Sequence, residues 1–140
     1  VGLSAAGGAA FVLGCVEYAR ERGCATVAVT CNPDTPLQAA CDYAIVPLTG
    51  PEAVTGSTRM KAGTAQKLIL NMLSTCAMIR TGRVKENLMI NVRPTNVKLH
   101  ARAIRILRQL HDCTETQAEQ ALAQAQNDVG RASALLEEQA

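Results

Sequence analysis

Acidic, hydroxyl and cationic side chains are concentrated in one stretch, residues 50–67, with the sequence GPEAVTGSTRMKAGTAQK. It contains one carboxylate, three clustered hydroxyls and three cations: Glu52, Thr55, Ser57, Thr58, Arg59, Lys61 and Lys67. A helical apolar pattern begins at its end, and a helix N-terminus favours anions because its first N–H groups are unpaired. The stretch therefore predicts a site for a phosphorylated or polyhydroxylated ligand.

The same residues also have a simpler structural explanation. Ser57 or Thr58 can cap the following helix, Glu52 can complement its dipole, and the cations can be solvated. The residue types alone leave both explanations open.

Other kinds of site have little support in the sequence. The two histidines, His100 and His111, have no partner motif, which favours surface or structurally satisfied residues, and no metal site is predicted. The six cysteines lack CxxC spacing, which indicates reduced thiols of a cytoplasmic protein. A net charge of +2 gives no argument for nucleic acid or membrane binding, and no apolar run is long enough for a membrane span.

Short β-branched segments alternate with helical ones in the first half of the chain. Strands are predicted over residues 1–4, 26–30 and 43–47, with a helix over residues 9–22 between the first two. This order predicts an α/β fold with a parallel sheet, in which ligands bind beyond the carboxyl ends of the strands. Two loops follow strand ends, the Ser4 loop (residues 4–9) and the Gly50 loop (residues 50–60), and we expect them to share one crevice.

Helices are predicted over most of the second half. A helix from Thr58 or Lys61 to Arg80 is apolar on nearly every side, so we expect the sheet to cover one side and the C-terminal helices or another subunit the other. Residues 84–92 fit either a helical turn or an extended segment. Three further helices are predicted over residues 96–110, 115–125 and 129–138, with a capping box at Thr114 and Gln117.

The run TGSTRMKAGTAQK, together with the later NLM and TNVKL, resembles the C-terminal part of bacterial N-acetylmuramic acid 6-phosphate etherases. The resemblance covers nearly the whole chain and implies a sugar isomerase (SIS) fold. It implies two domains: residues 1–93, the C-terminal part of an SIS domain, and residues 94–140, a small bundle that resembles ubiquitin-associated (UBA-like) modules.

The resemblance also implies a function. Etherases of this family are lyases of amino-sugar metabolism and cell-wall recycling, and they act without a cofactor. They convert the substrate to N-acetylglucosamine 6-phosphate and D-lactate by acid–base elimination and hydration. A cytoplasmic homodimer that binds a phosphorylated amino sugar is implied. The substrate-binding candidates are Ser4, Gly7, Glu52, Ser57, Thr58, Arg59 and Lys61.

No catalytic residue is assigned within the chain, because the two family glutamates precede the position of Val1, and we expect the chain alone to be inactive. The Ser4 loop also departs from the family, since SAAGGA replaces a Ser-Ala-Ser-Gly-Arg-Thr-like loop. Each lost hydroxyl hydrogen bond would weaken phosphate binding by roughly 1 kcal/mol.

Two alternatives to the etherase remain. A sugar-phosphate-binding regulator similar to the glucokinase regulatory protein would keep the same loop without the two glutamates. A partner-binding module centred on the C-terminal helices would expose an apolar patch on residues 115–138.

Overall fold

The computed structural model describes residues 1–138 and divides the chain into two compact units, Val1–Leu73 and the remainder from Ser74. The last two positions of the predicted domain 94–140 lie outside the described residues. The unit boundary falls within a long helix, and the predicted boundary at residue 93 stays a prediction.

The first unit contains a three-stranded parallel sheet and the helices that connect its strands. Its elements are β1 (Gly2–Leu3), α1 (Ala10–Glu21), β2 (Val27–Val29), α2 (Pro36–Ala40), β3 (Tyr43–Ile45) and the first part of α3 (Lys61–Arg80). The strand order is β1-β2-β3, with Gly2 opposite Ala28 and Val29 opposite Ile45. The predicted α/β parallel sheet is confirmed.

The core of this unit lies between the central strand and the two helices that precede and follow it. Ala28 and Leu37 are fully buried and Val16 of α1 packs against them. The core is aliphatic, as a chain with 2% aromatic residues requires. Packing of this kind stabilises the sheet because it removes apolar area from water.

Helix α3 is much less covered than its composition suggests. Its buried residues are Ala62 and Ile69. Six large apolar side chains on it are exposed: Leu68, Leu70, Met72, Leu73, Met78 and Ile79. Much of the apolar surface of α3 is therefore exposed in this single chain. The expectation that the C-terminal helices or another subunit cover this surface stays a prediction. Although α3 is long, no helix among the described residues is long and apolar enough to cross a membrane.

The second unit begins with the rest of α3 and a small hairpin. Strands β4 (Val84–Lys85) and β5 (Leu88–Met89) pair antiparallel, so the ambiguous segment 84–92 is extended rather than helical. Leu88, Ile90 and Val92 pack against the helices that follow. The hairpin is thereby held by apolar contacts, since two-residue strands give few backbone hydrogen bonds.

Three helices, α4 (Val97–Leu110), α5 (Glu115–Gln124) and α6 (Val129–Glu138), form the rest of this unit. Asn96 caps α4, and the predicted capping box is confirmed because Gln117 N donates to Thr114 Oγ1 at 3.3 Å and Thr114 N to Gln117 Oε1 at 2.8 Å. Fully buried side chains at the centre are Leu107, Leu122 and Val129. The likeness to UBA modules stays a prediction.

The start of α4 lies outside this core. Val97 is 88% exposed, whereas Ala103, Ile104 and Leu107 are buried. The fully buried positions of α4 therefore begin at Ala103.

Candidate ligand-binding site

The Ser4 loop is fastened to the residues that follow β2, at the carboxyl ends of the strands. The Ala5 carbonyl accepts hydrogen bonds from Cys31 N at 3.0 Å, Asn32 Nδ2 at 3.0 Å and Thr30 Oγ1 at 3.2 Å. Carboxyl ends of parallel strands are where ligands bind in open α/β sheets. The Ser4 loop and the segment after β2 therefore form one wall at that edge of the sheet.

A cleft of about 350 Å³ opens beside this wall, within the first unit. Its lining residues come from the Ser4 loop, the segments that follow β2 and β3, the Gly50 loop and the start of α3: Ala5, Cys31, Asn32, Pro33, Leu48, Thr49, Gly50, Glu52, Gly56, Thr58 and Ala62. The expected crevice between the two loops is present. Two of the seven predicted ligand-binding residues, Glu52 and Thr58, line it.

Glu52 caps the N-terminus of α3. Its Oε2 accepts from Lys61 N and its Oε1 from Ala62 N, both at 3.0 Å. These hydrogen bonds, first to Lys61 and then to Ala62, lower the pKa of the carboxyl, and the Lys61 charge adds to them against desolvation. Of the two roles open for this residue, dipole partner of the helix is the one its contacts support. Its role as a ligand contact stays a prediction.

The cations of the Gly50 loop bind back to the loop itself. Lys61 Nζ donates to the Pro51 carbonyl at 2.8 Å, and Arg59 Nε donates to Ser57 Oγ at 2.9 Å. Lys61, Arg59 and Ser57 are not among the residues that line the cleft. Lys61 and Arg59 can still donate further hydrogen bonds, because an ammonium has three donors and a guanidinium has five.

Ser4 and Gly7 are hydrogen-bonded to each other within the Ser4 loop. Gly7 N donates to Ser4 Oγ at 3.1 Å and lies 3.0 Å from the Ser4 carbonyl. Gly7 has φ +71°, and a Cβ there would lie 2.3 Å from the Thr35 Cβ. Its carbonyl accepts from Leu37 N at 3.0 Å. The glycine is therefore required for the loop to sit against the start of α2.

Helix α1, which follows the Ser4 loop, has an open N-terminus. Its N-cap residue is Ala9, which makes no side-chain capping bond, and its first turn has no acidic residue. Of the two helices that begin beside these loops, α3 already has an internal anion in Glu52 and α1 does not. An external phosphate is therefore better matched to α1.

Three polar or reactive residues of the cleft were not predicted from the sequence. Asn32 and Thr49 line it, and the available signal was their position just after β2 and β3. Cys31 lines it as well. Burial raises the pKa of its thiol and the Glu52 charge adds to this, while a hydrogen bond with Thr49 opposes both. The thiol is therefore neutral, which argues against a nucleophile.

The second unit has a separate basic pocket that sequence reasoning also missed. It measures about 670 Å³ and is lined by three cations, Lys98, Arg102 and Arg105, with Asn96 and Leu99 beside them. The signal was available, because residues 93–108 contain five Lys or Arg and no acid. By contrast, the described residues that line the first unit's cleft include no Lys or Arg.

The histidines take the two structural roles expected of them. His100 is exposed. His111 Nε2 lies 2.8 Å from Ser133 Oγ. Within residues 1–138, no three His, Cys, Asp or Glu side chains are grouped so that they could hold a metal ion.

Comparison with known proteins agrees with this architecture. Residues 1–76 match the SIS domain family model, which is more than half of the chain. The chain belongs to the SIS domain family. Residues 86–139 match the model of the C-terminal lid domain of glucokinase regulatory protein.

Curated relatives of this SIS domain chain are named N-acetylmuramic acid 6-phosphate etherase. Those from Yersinia pestis (strain Pestoides F), Yersinia pseudotuberculosis serotype O:1b (strain IP 31758) and Yersinia pestis bv. Antiqua (strain Angola) are each 52% identical over 136 residues. The match covers 97% of the chain and 46% of each relative, so the chain spans about half the length of these relatives. The family resemblance inferred from the sequence is confirmed.

The SIS domain's Glu52 contact leads to a prediction at the start of α3. Glu52→Gln should reduce hydrogen-exchange protection of the first amides of α3, because one of the two carboxylate oxygens is replaced by a donor. The pKa of Glu52 is lower in the folded chain than its ordinary value of about 4.3. The hydrogen bonds of Glu52 therefore stabilise the start of α3 fully above that ordinary pKa, and this stabilisation is lost as pH falls through the folded pKa. Glu17→Gln, on the exposed side of α1, is the matched control. Equal α3 protection in both variants would contradict the capping role.

Proposed function

We propose that this chain is the sugar-phosphate-binding half of an N-acetylmuramic acid 6-phosphate etherase, a lyase of amino-sugar metabolism. The observation that carries the proposal is the 52% identity over 97% of the chain to proteins of that name. The cleft at the carboxyl ends of β1, β2 and β3 supports it, since this is where a small ligand binds in such a sheet.

The phosphate is assigned to the N-terminus of α1 and the Ser4 loop. Backbone N–H groups at an uncapped helix start hold phosphate without a cation. The sugar hydroxyls are assigned to the polar side chains of the cleft, Asn32, Thr49 and Thr58. The full set of predicted contacts is kept as candidates: Ser4, Gly7, Glu52, Ser57, Thr58, Arg59 and Lys61.

The reaction proposed for the whole enzyme is elimination of the lactyl ether followed by addition of water, to give N-acetylglucosamine 6-phosphate and D-lactate. A proton acceptor and a proton donor are needed at the sugar. Among the described residues lining the cleft, Glu52 is the one carboxylate, and both its oxygens are engaged by α3. We therefore assign ligand binding to this chain and no acid–base role.

Homodimer formation and a cytoplasmic location are proposed with the function. The exposed apolar side chains of α3, among them Leu68 and Met72, support a partner on this helix. The six free cysteines support a reducing compartment.

A regulator that binds sugar phosphates without cleaving them is the second candidate. The match of residues 86–139 to the lid domain of glucokinase regulatory protein favours it. The two candidates differ in turnover, because the regulator would bind the amino-sugar phosphate and release no lactate.

Calorimetric titration with N-acetylmuramic acid 6-phosphate tests the binding assignment in the full-length protein. Thr58→Ala, in the cleft lining, is expected to weaken binding by about 0.5–1.5 kcal/mol, or roughly two-fold to ten-fold in Kd, as loss of a hydrogen bond does. Ser57→Ala and Lys61→Ala, whose side chains do not line the cleft, are expected to weaken binding less, through rearrangement of the Gly50 loop. These losses include any rearrangement of the loop, since Ser57 contacts Arg59 and Lys61 contacts the Pro51 carbonyl.

His100→Ala, on the exposed surface of α4, is the control for this titration and should leave Kd unchanged. The double variant Ser57→Ala with Thr58→Ala prevents one hydroxyl from replacing the other. Normal binding by the loop variants, together with weak binding by His100→Ala, would move the ligand to the second unit. Lactate release by the unaltered protein then separates the etherase from the regulator.

A further inference from the structure

A cluster of four polar side chains in the second unit lies outside the candidate ligand site. Ser133 of α6 is at its centre and is 2% exposed. Lys85 Nζ of β4 donates to Ser133 Oγ at 3.3 Å, and His111 Nε2, at the C-cap of α4, lies 2.8 Å from the same oxygen. Lys85 also pairs with Glu137 of α6. The cluster thus joins the hairpin and two helices through one buried hydroxyl.

The chemistry of the side chains fixes the direction of the hydrogen bonds in this cluster. An ammonium has only donors, so Ser133 Oγ is the acceptor toward Lys85. The hydroxyl hydrogen of Ser133 is then free to donate to Nε2 of a neutral His111, whose proton is on Nδ1. In this arrangement every member has a partner, and the direction runs from Lys85 through Ser133 to His111.

Protonation of His111 reverses the direction of its hydrogen bond with Ser133. Nε2 becomes a donor, so Ser133 Oγ must accept from two cations and its own hydrogen loses its acceptor. Lys85 faces the ring from the hairpin and disfavours a second positive charge, while Glu137 from α6 favours one. Asp112 follows in the chain, and the C-terminal end of α4 also attracts a cation.

Burial has the largest effect on the pKa of His111. Desolvation lowers the pKa of His111, Lys85 lowers it further, and Glu137 opposes both. Glu137 is less effective at this because it is already paired with Lys85. The folded unit therefore binds this proton more weakly than the unfolded chain does.

We propose that Lys85, His111, Ser133 and Glu137 form a pH-sensitive latch that holds α6 to the hairpin and to the end of α4, and that protonation of His111 loosens it. The latch is complete above the ordinary histidine pKa of about 6.5. Stability falls as pH drops from there toward the lowered folded pKa of His111, because the unfolded chain binds the proton first. The apolar contacts of Leu88 and Ile90 with the bundle remain, so the expected change is local loosening.

Imidazole titration by NMR tests the proton assignment. The chain contains two histidines, so His100→Gln leaves His111 as the one titrating imidazole. Its midpoint is expected below 6.5, raised in Lys85→Gln and lowered in Glu137→Gln. A midpoint at or above 6.5 that neither substitution moves would overturn the proposal.

Hydrogen exchange between pH 5 and 7.5, corrected for the intrinsic rate of each amide, tests the latch itself. Protection of α6 is expected to fall several-fold as pH is lowered through the His111 titration, while protection of α1 stays constant. His111→Gln should remove this pH dependence, and His100→Gln should retain it. Parallel loss in α1 and α6, or an unchanged pH dependence of α6 in His111→Gln, would show that the cluster is not a latch.

Discussion

Gly7→Ala is expected to destabilise the first unit by about 2–5 kcal/mol. The alanine would occupy a left-handed backbone conformation, at a cost of about 1–2 kcal/mol, and its Cβ would overlap the buried Thr35 side chain, at about 1–3 kcal/mol more. The Ser4 loop would then have to move away from the start of α2. Urea denaturation followed by far-UV circular dichroism measures the loss.

Gly8→Ala is the matched control for this change. A Cβ at Gly8 has no neighbour within 4 Å and the residue does not need a positive φ. Its effect on the unfolding free energy should stay within about 0.5 kcal/mol. Equal stability of the two variants would mean that the contact between Gly7 and Thr35 is not maintained in solution.

Leu107→Ala is expected to destabilise the second unit by about 2–5 kcal/mol. Leu107 is fully buried at the centre of the three-helix core, where truncation removes apolar contacts and leaves a cavity. The same denaturation experiment applies, with loss of helical signal as the measure.

Val97→Ala, in the first turn of the same helix, is the control for Leu107→Ala. Its side chain is 88% exposed, so the unfolding free energy should change by less than about 0.5 kcal/mol. A large loss from Val97→Ala together with a small one from Leu107→Ala would mean that α4 packs on the bundle through another face.

Prediction from sequence worked best where one local physical rule decides the structure. The β-branched run around Val27 and Val29 predicted a buried strand, and the strand–helix–strand order predicted parallel pairing. The Thr114 and Gln117 capping box depends on residues three apart in one helix turn, so its geometry follows directly from their spacing.

It worked less well where neighbours distant in sequence decide. Residues 84–92 have no periodicity that separates a turn of helix from a hairpin, and packing of Leu88 and Ile90 against the bundle accompanies the extended form. Val97 lies seven residues before the buried Ile104, at the apolar period of α4, yet it is 88% exposed.

The candidate site divides in the same way. The order of elements along the chain was enough to predict that the Ser4 and Gly50 loops share a crevice, because parallel strands bring their carboxyl ends to one edge. The tertiary structure decided how individual side chains are used there. Glu52 reaches across nine residues to the start of α3, and Asn32 is held by the Ala5 carbonyl from the loop after β1.

The sequence alone was enough to predict the SIS fold and to show the resemblance to the etherases, since the motif from Thr55 to Lys67 and the alternation of strands and helices are local properties. Only the tertiary structure decided that Glu52 binds the first amides of α3 and that His111 and Lys85 both contact Ser133. The physical reason is that a hydrogen bond requires two groups within about 3 Å, and which groups meet depends on how the whole chain packs.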